Sequence, residues 1–149
     1  MVQSIVVKEA FTMHRRIFVL NSALGIVGLG VTALTTLAPA QAATQIPFTT
    51  TALGIAQEAG KPILIAVHAD WCPVCGKQKP IIDSLAQTPA FQDLVVLVVD
   101  FDNQKDVLKA LGVTRQSTLI AMHGTAERDR SVGVTAEDAI RALMLKTKD

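Results

Sequence analysis

The residues of this sequence best suited to chemistry are concentrated in one short stretch, Trp71-Cys72-Pro73-Val74-Cys75. It holds both cysteines of the chain, in C-x-x-C spacing. A buried-strand pattern precedes the pair and a helical pattern follows it, so Cys72 is expected at a helix N-terminus. There the unpaired N–H groups and the macrodipole favour an anion, which lowers a thiol's pKa and makes its thiolate a nucleophile. Cys75 lies one turn on, on the same face, where it can close a disulfide with Cys72. Pro73 suits a first turn that does not need its N–H. These features predict a redox couple in which Cys72 is the exposed nucleophile and Cys75 the shielded resolving thiol. An inert staple is disfavoured, because so short a loop removes little chain entropy and helix-start geometry makes the bond labile. Metal binding, as a metal-binding or metallochaperone module, is the alternative: C-x-x-C is half a zinc site, and thiolates suit copper(I). No second C-x-x-C accompanies the pair. His68 and His123 read as a strand-end and a turn residue, so no metal ligand is assigned and no cofactor is expected.

The elements that must position the pair follow from the apolar pattern. Residues 53–59 read as a short helix stopped by Gly60. Residues 63–69 are a continuous apolar run, as in a strand buried on both faces. A helix over 72–86 carries Ile81, Ile82 and Leu85 on one face, with Pro80 inside it. A second buried strand is expected at 94–99, and a helix at 106–111 ended by Gly112. Strands at 118–122 and 130–134 flank a turn at His123-Gly124-Thr125-Ala126. Thr135 then caps a last helix, with Asp138 in the reciprocating position. Lys77 and Lys79 read as the exposed face of their helix, and Asp100 and Asp102 as a strand-end pair on a solvated loop. The order α-β-α-β-α-β-β-α predicts an α/β fold, with one central mixed β-sheet flanked by helices on both faces.

The 149 residues carry a net charge of +1, which gives no electrostatic case for nucleic acid. Half are hydrophobic and 18% charged, too apolar for a disordered chain. The apolar excess is uneven, because no charged residue lies between Arg16 and Glu58. His14-Arg15-Arg16, the apolar run at 17–37 and Ala40-Gln41-Ala42 match the parts of an export signal. Residues 1–42 are therefore expected to be an export signal cleaved after Ala42, and residues 43–149 a single domain. An uncleaved membrane anchor competes with cleavage, since the run has about the length of a span, although Gly25, Gly28, Gly30 and Ser22 dilute it. Arg15-Arg16-Ile17-Phe18-Val19 also resembles a twin-arginine signal, so the general and twin-arginine routes both stay open. A periplasmic or otherwise extracytoplasmic location is expected.

Ala69-Asp70-Trp71-Cys72-Pro73-Val74-Cys75 resembles the active-site segment of the thioredoxin superfamily. Pro80, five residues after Cys75, matches that family's helix proline, and Ile81-Ile82-Asp83 continues the match. Leu111-Gly112-Val113, Ser117-Thr118-Leu119-Ile120 and Val132-Gly133 extend it over 46–146. The resemblance implies a thioredoxin-like fold and an exported protein thiol–disulfide oxidoreductase, with Cys72 and Cys75 catalytic. Its substrate surface would comprise Trp71, Pro73, Gln116 and Ser117. Implied partners are protein thiols or disulfides, including a membrane thiol-reductant relay, met by a monomer that touches the membrane only through an uncleaved N-terminal segment. The Ala-Asp-Trp-Cys spelling resembles periplasmic members of such relays.

Two departures from the family pattern stand out. Ser117 occupies the place of the cis-proline that faces the disulfide and gives the loop an extra N–H and hydroxyl. A cis bond before a non-proline residue costs about 2.5–4 kcal/mol, so a trans Gln116–Ser117 bond is expected. The buried Asp and Lys behind the cysteines of cytosolic thioredoxins correspond to Ala66 and Val98. Cys75 must therefore lose its proton another way.

Overall fold

In the computed structural model, which describes residues 45–149, the strand β2 (Pro62–His68) is the axis of the fold. Its side chains alternate between two apolar layers. Leu64 and Ala66 pack with α2 (Pro73–Ala86) and α4 (Glu137–Leu145), while Ile63, Ile65 and Val67 face the layer that holds α1 (Thr50–Glu58) and α3 (Lys105–Ala110). Burial on both faces is why the strand reads as a continuous apolar run rather than an alternating one. β3 (Val95–Asp100) pairs with it in parallel, and β4 (Thr118–His123) pairs with its other edge antiparallel. β1 (Gln45–Pro47) and β5 (Ala126–Val132) complete a mixed five-stranded sheet in the order β1-β3-β2-β4-β5. The expected α/β architecture is what forms. The segment expected to direct export lies outside the described residues. Among the described residues, no helix is long and apolar enough to cross a membrane.

Several boundaries differ from the expectation, each for a local reason. β1 is an additional strand, parallel to β3, that leads to a Phe48 N–H bond with the Val98 carbonyl at 2.8 Å. Three residues ending in proline offer no periodicity to read. α1 starts three residues early, because the Thr49 side chain accepts the Ala52 N–H at 3.0 Å and caps it. The hairpin is tighter than expected. β4 runs through His123, β5 begins at Ala126, and Gly124 takes φ +52, as a two-residue hairpin turn requires. β5 is nearly all exposed, and its Glu127-Arg128-Asp129-Arg130 run protects a sheet edge while hiding the strand from a hydrophobic reading. Thr135 does not cap α4. The N-cap is Ala136, without a side-chain bond, and Glu137 and Asp138 instead set negative charge in the first turn. With the helix starting at Glu137, Asp138 is one position too early to close a capping box.

These elements converge at the C-terminal end of β2. Ala69 accepts the Cys72 N–H at 3.0 Å, which turns the chain from strand to helix. The Val67 carbonyl accepts the Ser117 N–H at 2.9 Å and fastens the loop before β4 to the same strand end. The His68 carbonyl accepts the Phe101 N–H at 2.8 Å and brings the end of β3 alongside.

Candidate functional site

Cys72 is the N-cap of α2, and Pro73 is exposed in the helix's first turn. The Cys72 sulfur does what a capping oxygen would do and accepts the Cys75 N–H at 3.2 Å. Both cysteines are free. The expected contrast in exposure is not found, because Cys72 is 4% and Cys75 2% exposed. Both pack with Ala69, Val74 and Phe101, and the Ser117 hydroxyl lies against both sulfurs. Hydrogen bonding, rather than access, separates the two thiols. Burial works against a charge on Cys72. The bonds that its sulfur receives from the Cys75 thiol, the Ser117 hydroxyl and the Cys75 and Val74 N–H groups outweigh it and hold this thiol below the ordinary value. Burial also leads at Cys75. There, donation towards Cys72 and the charge on that sulfur add to it, and this thiol is pushed up despite the hydroxyl of Ser117.

The hydroxyl of Ser117 sits 3.1 Å from Cys72 Sγ and 3.3 Å from Cys75 Sγ, and the residue is 3% exposed. The sequence placed this loop opposite the sulfurs; the structure brings one oxygen within reach of both. Gln116 is half-buried beside it. Behind the pair, Ala66 and Val98 are register partners on β2 and β3, so two apolar side chains stand where a proton-handling pair would. Among the described residues, no group of three or more His, Cys, Asp or Glu side chains comes together as a metal cluster.

Trp71 is 59% exposed, as suits a contact surface, and it is held in place. Its indole N–H donates to Asp102 at 2.8 Å, and its ring meets Phe101 edge-on with centroids 6.5 Å apart. Asp102 is therefore more than a solvated loop residue. Asp100 shapes that loop, because its carboxylate accepts from the Asn103 amide at 2.7 Å and from the N–H groups of Asp102 and Asn103. These bonds, the Asn103 amide first, hold its carboxyl below the usual range. Gln78 is a residue that sequence reasoning missed. It is buried, and its amide donates to the Ser117 carbonyl at 3.2 Å and to the Val134 carbonyl at 2.8 Å, tying α2 to the loop. The signal was available, since Gln78 is a polar residue on the helical stripe of Cys75, Ile82 and Leu85. Lys79 pairs with Asp83 at 2.8 Å, and His68 approaches Asp70 at 3.3 Å. His123 ends β4 rather than lying in the turn, with Nδ1 2.8 Å from the Thr147 carbonyl. A groove of about 580 Å³ lies between β1, the β2 end and the Asp100–Gln104 loop, and neither cysteine lines it.

Comparison with known proteins agrees with this arrangement. The thioredoxin family model matches residues 49–146. A thioredoxin H-type protein of Brassica campestris is 36% identical over 94 residues, covering 63% of this chain and 74% of that protein. Thioredoxin H4 of Arabidopsis thaliana is 33% identical over 97 residues, covering 65% and 80%. Among solved structures, Trxlp of Edwardsiella tarda superposes with a TM-score of 0.66 at 40% identity, over 68% of this chain and 98% of that one.

Alkylation reads the asymmetry of the thiols directly. Because the thiolate is the reactive form, a lowered pKa carries reactivity to lower pH. In the reduced protein, iodoacetamide should modify Cys72 with a midpoint below that of an ordinary thiol, and Cys75 only at higher pH. Peptide mass mapping across pH checks this. Preferential labelling of Cys75 at neutral pH would reverse the assignment.

Proposed function

The chain belongs to the thioredoxin family of thiol–disulfide oxidoreductases, and from that premise we propose that it reduces or exchanges disulfides in exported proteins or in a relay partner. The observation that carries this reading is the Cys72 sulfur, seated at a helix N-cap where it accepts the Cys75 N–H, with Cys75 one turn on. Cys72 attacks the partner's disulfide and forms a mixed disulfide. Cys75 then attacks Cys72, releases the reduced partner and leaves an intramolecular disulfide. The reverse order oxidises a substrate. Trp71 and Pro73, exposed beside the nucleophile, and half-buried Gln116 on the opposing loop form the docking surface for the partner's chain, while Ser117, expected on that surface, is buried beneath it against the sulfurs. The metal-binding alternative has two sulfurs in its favour and, among the described residues, no group of three or more His, Cys, Asp or Glu side chains that includes them.

The two cysteines divide the labour, and their variants should differ in kind. Cys72→Ser should abolish turnover of a protein disulfide, while Cys75→Ala should accumulate a partner joined to Cys72. Non-reducing electrophoresis and mass spectrometry of Cys75→Ala from its native cell read the adduct. Absence of any mixed disulfide, together with a stoichiometric metal on the wild type, would replace the redox reading with the metal one.

We also propose that the protein works outside the cytoplasm, directed there by residues 1–42. Support comes from the uncharged stretch between Arg16 and Glu58, its Ala40-Gln41-Ala42 end, and a thiol pair suited to a compartment where disulfides persist. Intact mass of the protein from fractionated cells should give a soluble species beginning near Ala43. A full-length species confined to membranes would turn the signal into an anchor, and a full-length cytoplasmic one would refute export.

A further inference from the structure

Ser117 is buried, strained and set against both sulfurs, and together these features bear on how the redox reaction proposed above proceeds. Its backbone is fixed from several sides. The Ser117 N–H donates to the Val67 carbonyl at 2.9 Å, and its own carbonyl accepts the Gly133 N–H at 2.9 Å and the Gln78 amide at 3.2 Å. Among the described residues it is the one non-glycine with positive φ, at +61. Such a conformation persists where the surroundings over-determine it, and it clusters at working sites. A hydroxyl combines one donor proton with two acceptor lone pairs, and its proton turns about the C–O bond while the oxygen stays in place. From one position, 3.1 Å from Cys72 Sγ and 3.3 Å from Cys75 Sγ, it can serve either sulfur. The Val67 carbonyl, at 3.9 Å from Cys75 Sγ, is a much longer contact. Among the described residues, no carboxylate, ammonium or imidazole group is hydrogen-bonded to either sulfur.

We propose that Ser117 is a further catalytic residue whose hydroxyl serves the two sulfurs in turn, donating to Cys72 before the first attack and to Cys75 during the second. In the reduced pair the proton points at the Cys72 thiolate. That sulfur attacks the partner, so the Cys72–partner bond forms and the partner's own disulfide breaks. The first partner sulfur leaves with the bonding pair and takes a proton from water. Cys72 is then uncharged, and the hydroxyl turns to Cys75, which gives its proton to water. The Cys75 thiolate, held by Ser117, attacks Cys72 Sγ. The Cys72–Cys75 bond forms, the mixed disulfide breaks, and the second partner sulfur leaves with its pair and takes a proton. Two electrons pass to the partner, and Ser117 ends as it began.

The reaction of the purified protein with dithiobis(nitrobenzoate), an aromatic disulfide, separates the steps. The first coloured thiolate released reports attack by Cys72, and the second reports attack by Cys75. Wild type, Ser117→Ala and Ser117→Gly are compared across pH. Both variants keep the backbone bonds and lose the hydroxyl, but only glycine relieves the positive φ. A hydrogen bond to an anion sets the scale, so both should slow the second release by roughly ten- to a hundredfold. Both should also move the pH profile of the first release upward. Variants that match wild type in both phases would overturn the assignment. So would a glycine variant that recovers wild-type rates while alanine does not, since strain and not the hydroxyl would then be at work. A wild type that releases no more than one thiolate would instead sink the redox reading itself.

Discussion

Everything at the site depends on one hand-over, in which a fully buried strand ends and its chain becomes the N-terminus of a helix within a few residues. β2 is held between β3 and β4 and packed on both faces, so its end is a fixed point in the molecule. The turn at Ala69 sets Cys72 where a helix cap must be, and the backbone then supplies the N–H groups that a thiolate needs. The reactivity of the sulfur is thus a by-product of satisfying a helix end, which would otherwise leave donors unpaired. A substitution that loosened this strand end would disturb the chemistry without touching a cysteine.

Burial alone would raise both thiols, and the two differ because their hydrogen bonds run in opposite senses. Cys72 collects donors, while Cys75 acts mainly as one. The asymmetry needs no difference in exposure, and the structure shows almost none. It rests on the bond between the two thiols, which lowers Cys72 and raises Cys75, while the Ser117 hydroxyl lowers both; the loop that carries that hydroxyl is held by Val67 on β2, Gln78 on α2 and Gly133 after β5. Three separate elements therefore converge on one residue whose backbone is itself unfavourable. Elsewhere at the helix start, Asp102 and Phe101 restrain the exposed Trp71. The nucleophile thus has a restrained aromatic side chain and a restrained loop as neighbours.

Much of this was legible in the sequence because it rests on short-range pattern. The apolar run of β2, the C-x-x-C at its end and the Gly60 and Gly112 stops announce strand, helix and boundary by local chemistry. What escaped was set by tertiary contacts. β1 exists because β3 offers it an edge, not because Gln45-Ile46-Pro47 prefers a strand. β5 is a charged sheet edge, whose hydrophobicity says the opposite of its structure. Thr135 carries the right side chain for a cap, but the helix begins beyond it. At the site, the residue types were readable and their mutual geometry was not. The exposure assigned to Cys72 followed from its place at a helix start, and it failed because the fold packs Ala69, Val74 and Phe101 with the pair and sets Ser117 against the sulfur. The same contact turned a lost proline into a gained hydrogen bond. Asp102 and Gln78 act across 31 and 39 residues of sequence, a distance at which no periodicity speaks.

The central claim is that Cys72 and Cys75 form a reversible two-electron couple within one folded chain. The single tryptophan of the sequence, Trp71, adjoins the nucleophile and can report its state by fluorescence. The direct measurement is a titration of the purified protein in thiol–disulfide buffers of graded potential, followed by that signal and by mass. The account predicts one reversible transition with a slope of about 30 mV per tenfold change, as expected for two electrons, and a loss of two hydrogens on oxidation. Thiols that stay reduced across the whole range, or that oxidise only by joining separate chains, would contradict it.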